Sequence, residues 1–356
     1  MNAARPHVLV ARLDNAGDVL LMGPAIRAVA AGADRVTLLC GPAGREAAAM
    51  LPGVDGVCVL RAPWIDPEPE PVDPARMRAL VHAVARLQVD QAILFTSFHQ
   101  TALPLALLLR MARVPVIAAI SDDYPGSLLD VRHRVEGEVH EVERALSLVE
   151  ALGYRLPPGD DGGLRVNRPA TPHPATRAGR YVVVHPGASV PARAWAPALC
   201  RDLVGALAGA GRRVVVTGGP NQRALTAFVA AGAGGHGVVD LGGATRLAGL
   251  ADVIAEADVL VTGNTGPAHL AAAVSTPVVE LYAPTVPSVR WHPWRVPHVL
   301  LGDQEIACRD CRARECPVAG HPCIDSVDVG TVVAAVERLA PRGRAMPRVL
   351  READAS

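Results

Sequence analysis

Two doubly wound α/β domains facing a central cleft are the fold class this sequence predicts. Three observations predict it: the chain length, an alternation of short apolar strands with helical patterns, and one polar interruption near the middle. The chain has 356 residues, and domains usually run to ~100–200 residues, so two are expected. Chains of this size bury large cores without covalent staples.

In the first half, apolar strands are expected at residues 8–11, 36–40, 57–60, 91–95 and 115–120. Helical patterns fall at 19–31, 74–87 and 100–112. Strands that are apolar throughout, with helices between them, belong to a parallel sheet covered on both faces. Right-handed crossovers then give a doubly wound domain, placed at residues 1–156. The acidic, Pro-rich stretch 63–74 reads as a surface excursion. Residues 157–180 are rich in Gly, Pro, Asp and Thr and are expected to be the linker. A second series follows, with strands at 181–185, 214–217, 238–241, 259–262 and 277–282, giving a domain at 181–325. A last helix is expected at 327–339, within 326–340, and 341–356 as a flexible tail. Ligands of such sheets bind at the carboxyl ends of the strands, so the cleft is where chemistry is expected.

Half the residues are hydrophobic, and 35 Arg balance 35 Asp and Glu, with no Lys at all. A balanced chain has no general attraction for nucleic acid or anionic lipid, so any basic site is local. The lack of Lys, with abundant Ala and Gly, suggests a GC-rich genome. At the N-terminus the short run Val8 to Ala11 is followed by Arg12 and Asp14, too short and too charged for a signal peptide. No run of ~18 apolar residues is present, so no transmembrane helix is expected. The apolar stretch 101–120 is broken by Pro104, Arg110, Arg113 and Pro115 and reads as a buried helix and strand. The expected location is the cytoplasm, with at most peripheral contact at the inner face of the membrane. Seven cysteines in such a chain do not read as a disulfide framework.

Strand one ends in Arg12-Leu13-Asp14-Asn15-Ala16-Gly17-Asp18, and a helix begins at once. Asp18 has two readings: an N-cap for that helix, or a carboxylate that takes a proton from an acceptor hydroxyl. The second domain opens with His185-Pro186-Gly187-Ala188-Ser189, then Arg193 and Trp195. A Gly/Ser loop before a helix offers N–H groups and a hydroxyl to an anion. Arg193 adds a permanent charge suited to phosphate; the plainer reading is a solvated Arg and a packed Trp. The segment Gly263-Asn264-Thr265-Gly266-Pro267-Ala268-His269 follows an apolar strand and starts an Ala-rich helix. Its N-terminus is a second anion nest, and two such nests suggest a diphosphate. No D-x-D pair is present to hold a metal on that diphosphate, so cationic side chains and helix dipoles take its place. Late in the chain, Cys308, Cys311, Cys316 and His321 have the spacing of a small structural zinc loop, with Cys323 a spare ligand. The plainer reading is a loop of packed or free thiols.

Taken in order, these pieces resemble glycosyltransferase family 9, the ADP-heptose:lipopolysaccharide heptosyltransferase family. The resemblance runs from Arg12-Leu13 through Gly17-Asp18-Val19 and Pro24-Ala25 to His185-Pro186-Gly187-Ala188-Ser189, Arg193 and Trp195. It continues in Thr217-Gly218-Gly219-Pro220, Asp240-Leu241-Gly242-Gly243-Ala244-Thr245 and Gly263-Asn264-Thr265-Gly266-Pro267 with His269. It implies a GT-B fold, an inverting transfer that requires no metal, and Asp18 as general base. It implies an acceptor-side first domain and a nucleotide-sugar-binding second domain. Donor contacts are implied at Ser189, Arg193, Gln222, Asn264, Thr265, Gly266 and His269, with ADP-heptose the donor. Family members commonly have Lys where Arg193 stands and Asp where Asn264 stands. The last helix is implied to cross back to the first domain. Arg132 and Arg134, in the segment 121–134, are candidate contacts for an acceptor: a glycan, a lipid-linked glycan or a small molecule. Two rivals remain: an epimerase or isomerase of nucleotide sugars on the same fold, and a non-catalytic nucleotide-sugar binder. A dehydrogenase is disfavoured, because no G-x-G-x-x-G follows either opening strand.

Overall fold

A computed structural model describes residues 5–66, 68–168, 171–235 and 237–341. The tail expected at 341–356 therefore lies, past Pro341, outside the described residues. The first sheet contains β1 (His7–Arg12), β2 (Arg35–Cys40), β3 (Gly56–Val59), β4 (Gln91–Phe95), β5 (Val116–Ile120) and β6 (Val131–His133). The second contains β7 (Val182–His185), β8 (Val214–Gly218), β9 (Val238–Gly242), β10 (Val259–Gly263), β11 (Val278–Leu281) and β12 (His298–Leu301). Their orders are β3-β2-β1-β4-β5-β6 and β12-β11-β10-β7-β8-β9. All the pairings are parallel. Read from its own first strand, each sheet has the same doubly wound order, and each reverses direction beside that strand. Two GT-B-type halves result.

The strands are apolar on both faces because both faces are covered. On β1, Val8 and Val10 belong to one buried cluster, while Leu9 and Ala11 belong to another. The cluster holding Val8 and Val10 continues into the second domain through Val183, Val215, Leu260 and Val278. The opposite face of the second sheet, with Val182, Val184 and Val261, has its own core.

Between β1 and β2 the chain forms two helices, Ala16–Leu21 and Gly23–Gly32, joined at Met22. Pro24 lacks the N–H that would continue one helix through the junction. The linker stretch bonds both domains: Arg27 pairs with Asp160 at 2.6 Å and Asn167 N donates to Met50 O at 2.8 Å on the first, while Trp294 Nε1 of the second donates to Gly162 O at 2.9 Å. Across the domain boundary, Glu46 accepts from Leu247 N at 2.9 Å and from Arg246 at 2.9 Å. Leu247 begins the helix Leu247–Ala255, so the carboxylate sits at that helix's positive end. The last helix, Val329–Leu339, does not cross back as expected. It packs on the helix Pro197–Gly209 and on β10, β11 and β12, and its Val332, Ala335 and Val336 complete the second domain's outer core.

Candidate active site

The two sheets reverse direction between β1 and β4 and between β7 and β10, and the carboxyl ends of these four strands carry the polar residues of the cleft. Arg12 ends β1 and is completely buried. Its Nη2 donates to Asp18 Oδ1 at 2.9 Å and to Ser97 Oγ, just past β4, at 2.8 Å. Its Nε pairs with Asp14 at 2.7 Å and its Nη1 with Glu141 at 3.6 Å. Burial opposes the charge of Arg12, but Asp14, Asp18 and Glu141 outweigh it and hold its pKa above the ordinary arginine value. Asp14 takes a further hydrogen bond from Gln100, and burial raises its carboxyl despite Arg12.

Asp18 lies in the first turn of the helix Ala16–Leu21, whose N-cap is Asn15. The capping reading of Asp18 is therefore not what the chain adopts. Its carboxylate is held by Arg12 and remains partly exposed, at 19%.

A cavity of about 630 Å³ runs between the domains. Ser189, Gln222 and Gly266 of the second domain border it, with Ala16, Pro42 and Glu46 of the first. Gln222 accepts from Gly219 N at 2.9 Å. Its side chain lies over Gly187, where an added Cβ would stand 2.2 Å away. Arg193 donates from Nε to Thr285 Oγ1 at 3.2 Å. Gly263 allows that placement, since a Cβ there would come within 2.5 Å of Arg193 O.

Thr265 caps the helix Gly266–Ala273 with an extended backbone and makes no side-chain cap bond, while its Oγ1 lies 3.3 Å from Thr262 Oγ1. Two buried side chains flank this helix start: among the described residues, Asn264 Nδ2 and His269 Nδ1 have no hydrogen-bond partner. Buried polar groups are normally satisfied, so both point to a polar ligand. Burial, with His292 and Arg193 adding to it, lowers His269 to about 4. The ring is neutral near pH 7 and offers a hydrogen bond, not a charge. His185, at the end of β7, is likewise lowered to about 4 by burial and bonds Thr217 Oγ1 at 3.0 Å.

The two halves meet where Gly17 approaches the helix Gly266–Ala273. A Cβ on Gly17 would lie 2.9 Å from His269 Cδ2 and 3.1 Å from Gly266 Cα. The turn bearing Asp18 is thus set against the start of the helix Gly266–Ala273 in the other domain.

Arg132 lies on β6 and folds back, donating to the carbonyls of Ser121, at 2.9 Å, and Asp122. Arg134 is exposed. A second cavity of about 150 Å³ lies at the first domain's strand ends, bordered by Asp14, Asn15, Pro42, Arg61 and Asp66. It shares Pro42 and Ala43 with the larger cavity. Sequence reading missed this cavity and the partners of Arg12. Ser97 and Gln100 were detectable as polar residues directly after a central strand.

Cys308, Cys311, Cys316 and Cys323 border one small, mostly apolar cavity together with His321. Burial raises the Cys323 thiol to about 11, helped by Cys316, Cys308 and Cys311. His321 has its Nε2 on Ala192 O at 3.2 Å. Among the described residues, no three His, Cys, Asp or Glu side chains are gathered as a metal-binding group.

The family model described as glycosyltransferase family 9 (heptosyltransferase) matches residues 77–321. The chain is 31% identical over 166 residues to the Escherichia coli lipopolysaccharide heptosyltransferase 3, covering 45% of this chain and 47% of that one. It is 29% identical over 160 residues to lipopolysaccharide heptosyltransferase 1 of E. coli K12, covering 44% and 49%. The chain thus spans about half the length of the curated relatives it matches. The fold is similar to the crystal structure of the family 9 glycosyl transferase from Veillonella parvula. There the TM-score is 0.77 at 16% identity, over 96% of this chain and 98% of the other. It is similar also to the E. coli heptosyltransferase WaaC with ADP-2-deoxy-2-fluoro heptose, with TM-score 0.70 and 21% identity over 93% and 99%. The family match covers well over half the sequence and agrees with the doubly wound halves and their cleft: this chain belongs to glycosyltransferase family 9.

Proposed function

We propose that the chain is an inverting, metal-independent glycosyltransferase that moves heptose from ADP-heptose to a hydroxyl of a glycan, glycolipid or small-molecule acceptor. The observation that carries this reading is the approach of Gly17, the neighbour of Asp18 in the chain, to Gly266 and His269 of the helix Gly266–Ala273, beside a cavity of about 630 Å³ that Gly266 borders. The nucleotide occupies that cavity between Ser189 and Gln222. The diphosphate lies at the N-terminus of the helix Gly266–Ala273 with Arg193 alongside, where N–H groups and a fixed cation stabilise the leaving charge. Asn264 and His269 hold sugar or phosphate oxygens. The acceptor enters over the strand ends of the first domain, by way of the cavity bordered by Asp14 and Asn15.

In the proposed step, Asp18 takes the acceptor hydroxyl proton as the oxygen bonds to the anomeric carbon. The bond from that carbon to the phosphate oxygen breaks, and ADP leaves with its electron pair. One displacement from the opposite face inverts the anomeric centre. The proposed location is the cytoplasm. We read Cys308, Cys311, Cys316 and His321 as ligands for one structural zinc.

A second reading, a binder without turnover, draws on Asn264, which offers an amide where the family commonly has Asp. One experiment separates them: the full chain is incubated with ADP-heptose and candidate acceptors, and ADP release is measured with and without acceptor. Acceptor-dependent ADP release supports the transferase. Donor binding with no release under any acceptor supports the binder.

A further inference from the structure

The carboxylate proposed as base does not stand alone. Arg12, completely buried, gives Asp18 Oδ1 a hydrogen bond at 2.9 Å and so fixes that oxygen, leaving Oδ2 to the proton. On its far side Arg12 meets Glu141, whose side chain is 1% exposed and starts the helix Glu141–Ala151. Glu141 is surrounded by three guanidiniums: Arg12 at 3.6 Å, Arg144 at 3.7 Å and Arg290 at 3.4 Å. The first two belong to the first domain. Arg290 comes from the short helix Ser288–Trp291 of the second, where Glu138 and the face of Phe98, at 4.7 Å, also hold it. A buried carboxylate between cations loses heavily if one of them departs. Glu141 therefore has a stake in the two domains staying together, and Arg12 passes its charge on to Asp18.

We propose that Arg12 and Glu141 are positioning residues for Asp18, and that Glu141 links the setting of that base to the second domain through Arg290. This rests on the reading of Asp18 as the base. The link is a charge relay in space, with no proton moved. While Arg290 is docked, it completes the three guanidiniums around Glu141, and Glu141 holds the Arg12 guanidinium that bonds Asp18. Without Arg290, Glu141 loses one of its three cations and Arg12 is less firmly held against Asp18. The other charged or titratable groups around this turn are Asp14 on its own loop, His99 after β4, Arg45 and Glu46 on the helix Arg45–Ala48, and His269 on the helix across the cleft. None of them spans Arg12 and the second domain as Glu141 does.

The test is ADP release from ADP-heptose by the full chain, with the acceptor that supports transfer, and with kcat and donor KM separated. Arg12→Met is expected to lower kcat by about tenfold or more, because small misplacements at a reacting centre are costly. Donor KM should stay, and Arg12→Lys should restore most of kcat. Glu141→Gln and Arg290→Met are expected to lower kcat in the same direction with donor KM unchanged, and their double variant should equal either alone. Wild-type kcat in folded Arg12→Met overturns the positioning role. Additive losses in the double variant, or none from Arg290→Met, overturn the link between domains. A failure of the base reading appears separately, as wild-type transfer by Asp18→Asn.

Discussion

Asp18 and Arg193 divide the proposed chemistry between the domains, and single substitutions separate their roles. Asp18 is not the cap of its helix, so Asp18→Asn should change stability little. It removes the base, and kcat is expected to fall ~10²–10⁴-fold while donor affinity measured by calorimetry stays near wild type; an unchanged kcat defeats the assignment. Arg193→Ala should do the reverse. A phosphate-paired guanidinium contributes ~1.5–3 kcal/mol per charged hydrogen bond, so ADP affinity should weaken by about tenfold or more. An unchanged Kd in the folded variant removes Arg193 from the diphosphate. These residues were legible because each stands directly after an apolar strand, in the loop where ligands of doubly wound sheets bind. Arg12 and Glu141 were not legible as partners. They are 129 positions apart, and only the sheet order brings β1, the loop after β4 and the helix Glu141–Ala151 together. The bonds of Arg132 were hidden for a related reason: its charge was visible in the sequence, but the carbonyls of Ser121 and Asp122 that it reaches were not.

Among elements, the helix start at Gly266 and the turn at Gly17 are the pair on which the site depends. Any side chain at Gly17 would strike His269 and the backbone of Gly266. Gly17→Ala is expected to force the two apart by a fraction of an ångström or more and to lower kcat by about a hundredfold, since small misplacements at a reacting centre are costly. A folded Gly17→Ala variant with wild-type kcat would mean that this approach is not used in the reaction. The cysteine loop makes a second prediction. If zinc clips it, His321 joins Cys308, Cys311 and Cys316 through Nδ1, since its Nε2 bond to Ala192 O fixes the ring and leaves the other nitrogen for the metal. Protein purified without an affinity metal should carry about one zinc per chain, lost in Cys311→Ser and in His321→Ala; metal-free, fully active protein disposes of the site. Elements were legible where the apolar run was long. The strands β6 and β12 escaped notice because Val131–His133 and His298–Leu301 are short and carry polar residues at sheet edges. The helix Val329–Leu339 was visible by its period, but its docking on the second domain is decided by packing partners that periodicity does not name.

At the scale of the whole molecule, the domains share a core and a seam of rings. His140 bonds His292 O at 3.0 Å and stacks on Trp294 at 4.4 Å, while Phe98 meets Trp291 at 5.8 Å. Burial lowers His140 to about 3, and lowers His185 and His269 to about 4. An ordinary His titrates near 6.5, so between about 6.5 and these values the unfolded chain binds more protons than the folded one. Stability from these three groups is complete above about pH 6.5 and is lost as the pH falls toward 4. Each contributes a slope of up to ~1.4 kcal/mol per pH unit in that window. Asp14, Glu141 and Glu280, raised by burial, act in the opposite direction. A difference between two chains isolates the histidine share. His185→Asn can keep a bond to Thr217 but cannot take up a proton on unfolding. Urea unfolding of wild type and His185→Asn across pH 7.5 to 5 should therefore give a shallower decline for the variant, by about 1 kcal/mol per pH unit below pH 6. Parallel curves would mean that His185 titrates alike in both states and that its burial costs the folded chain nothing in acid.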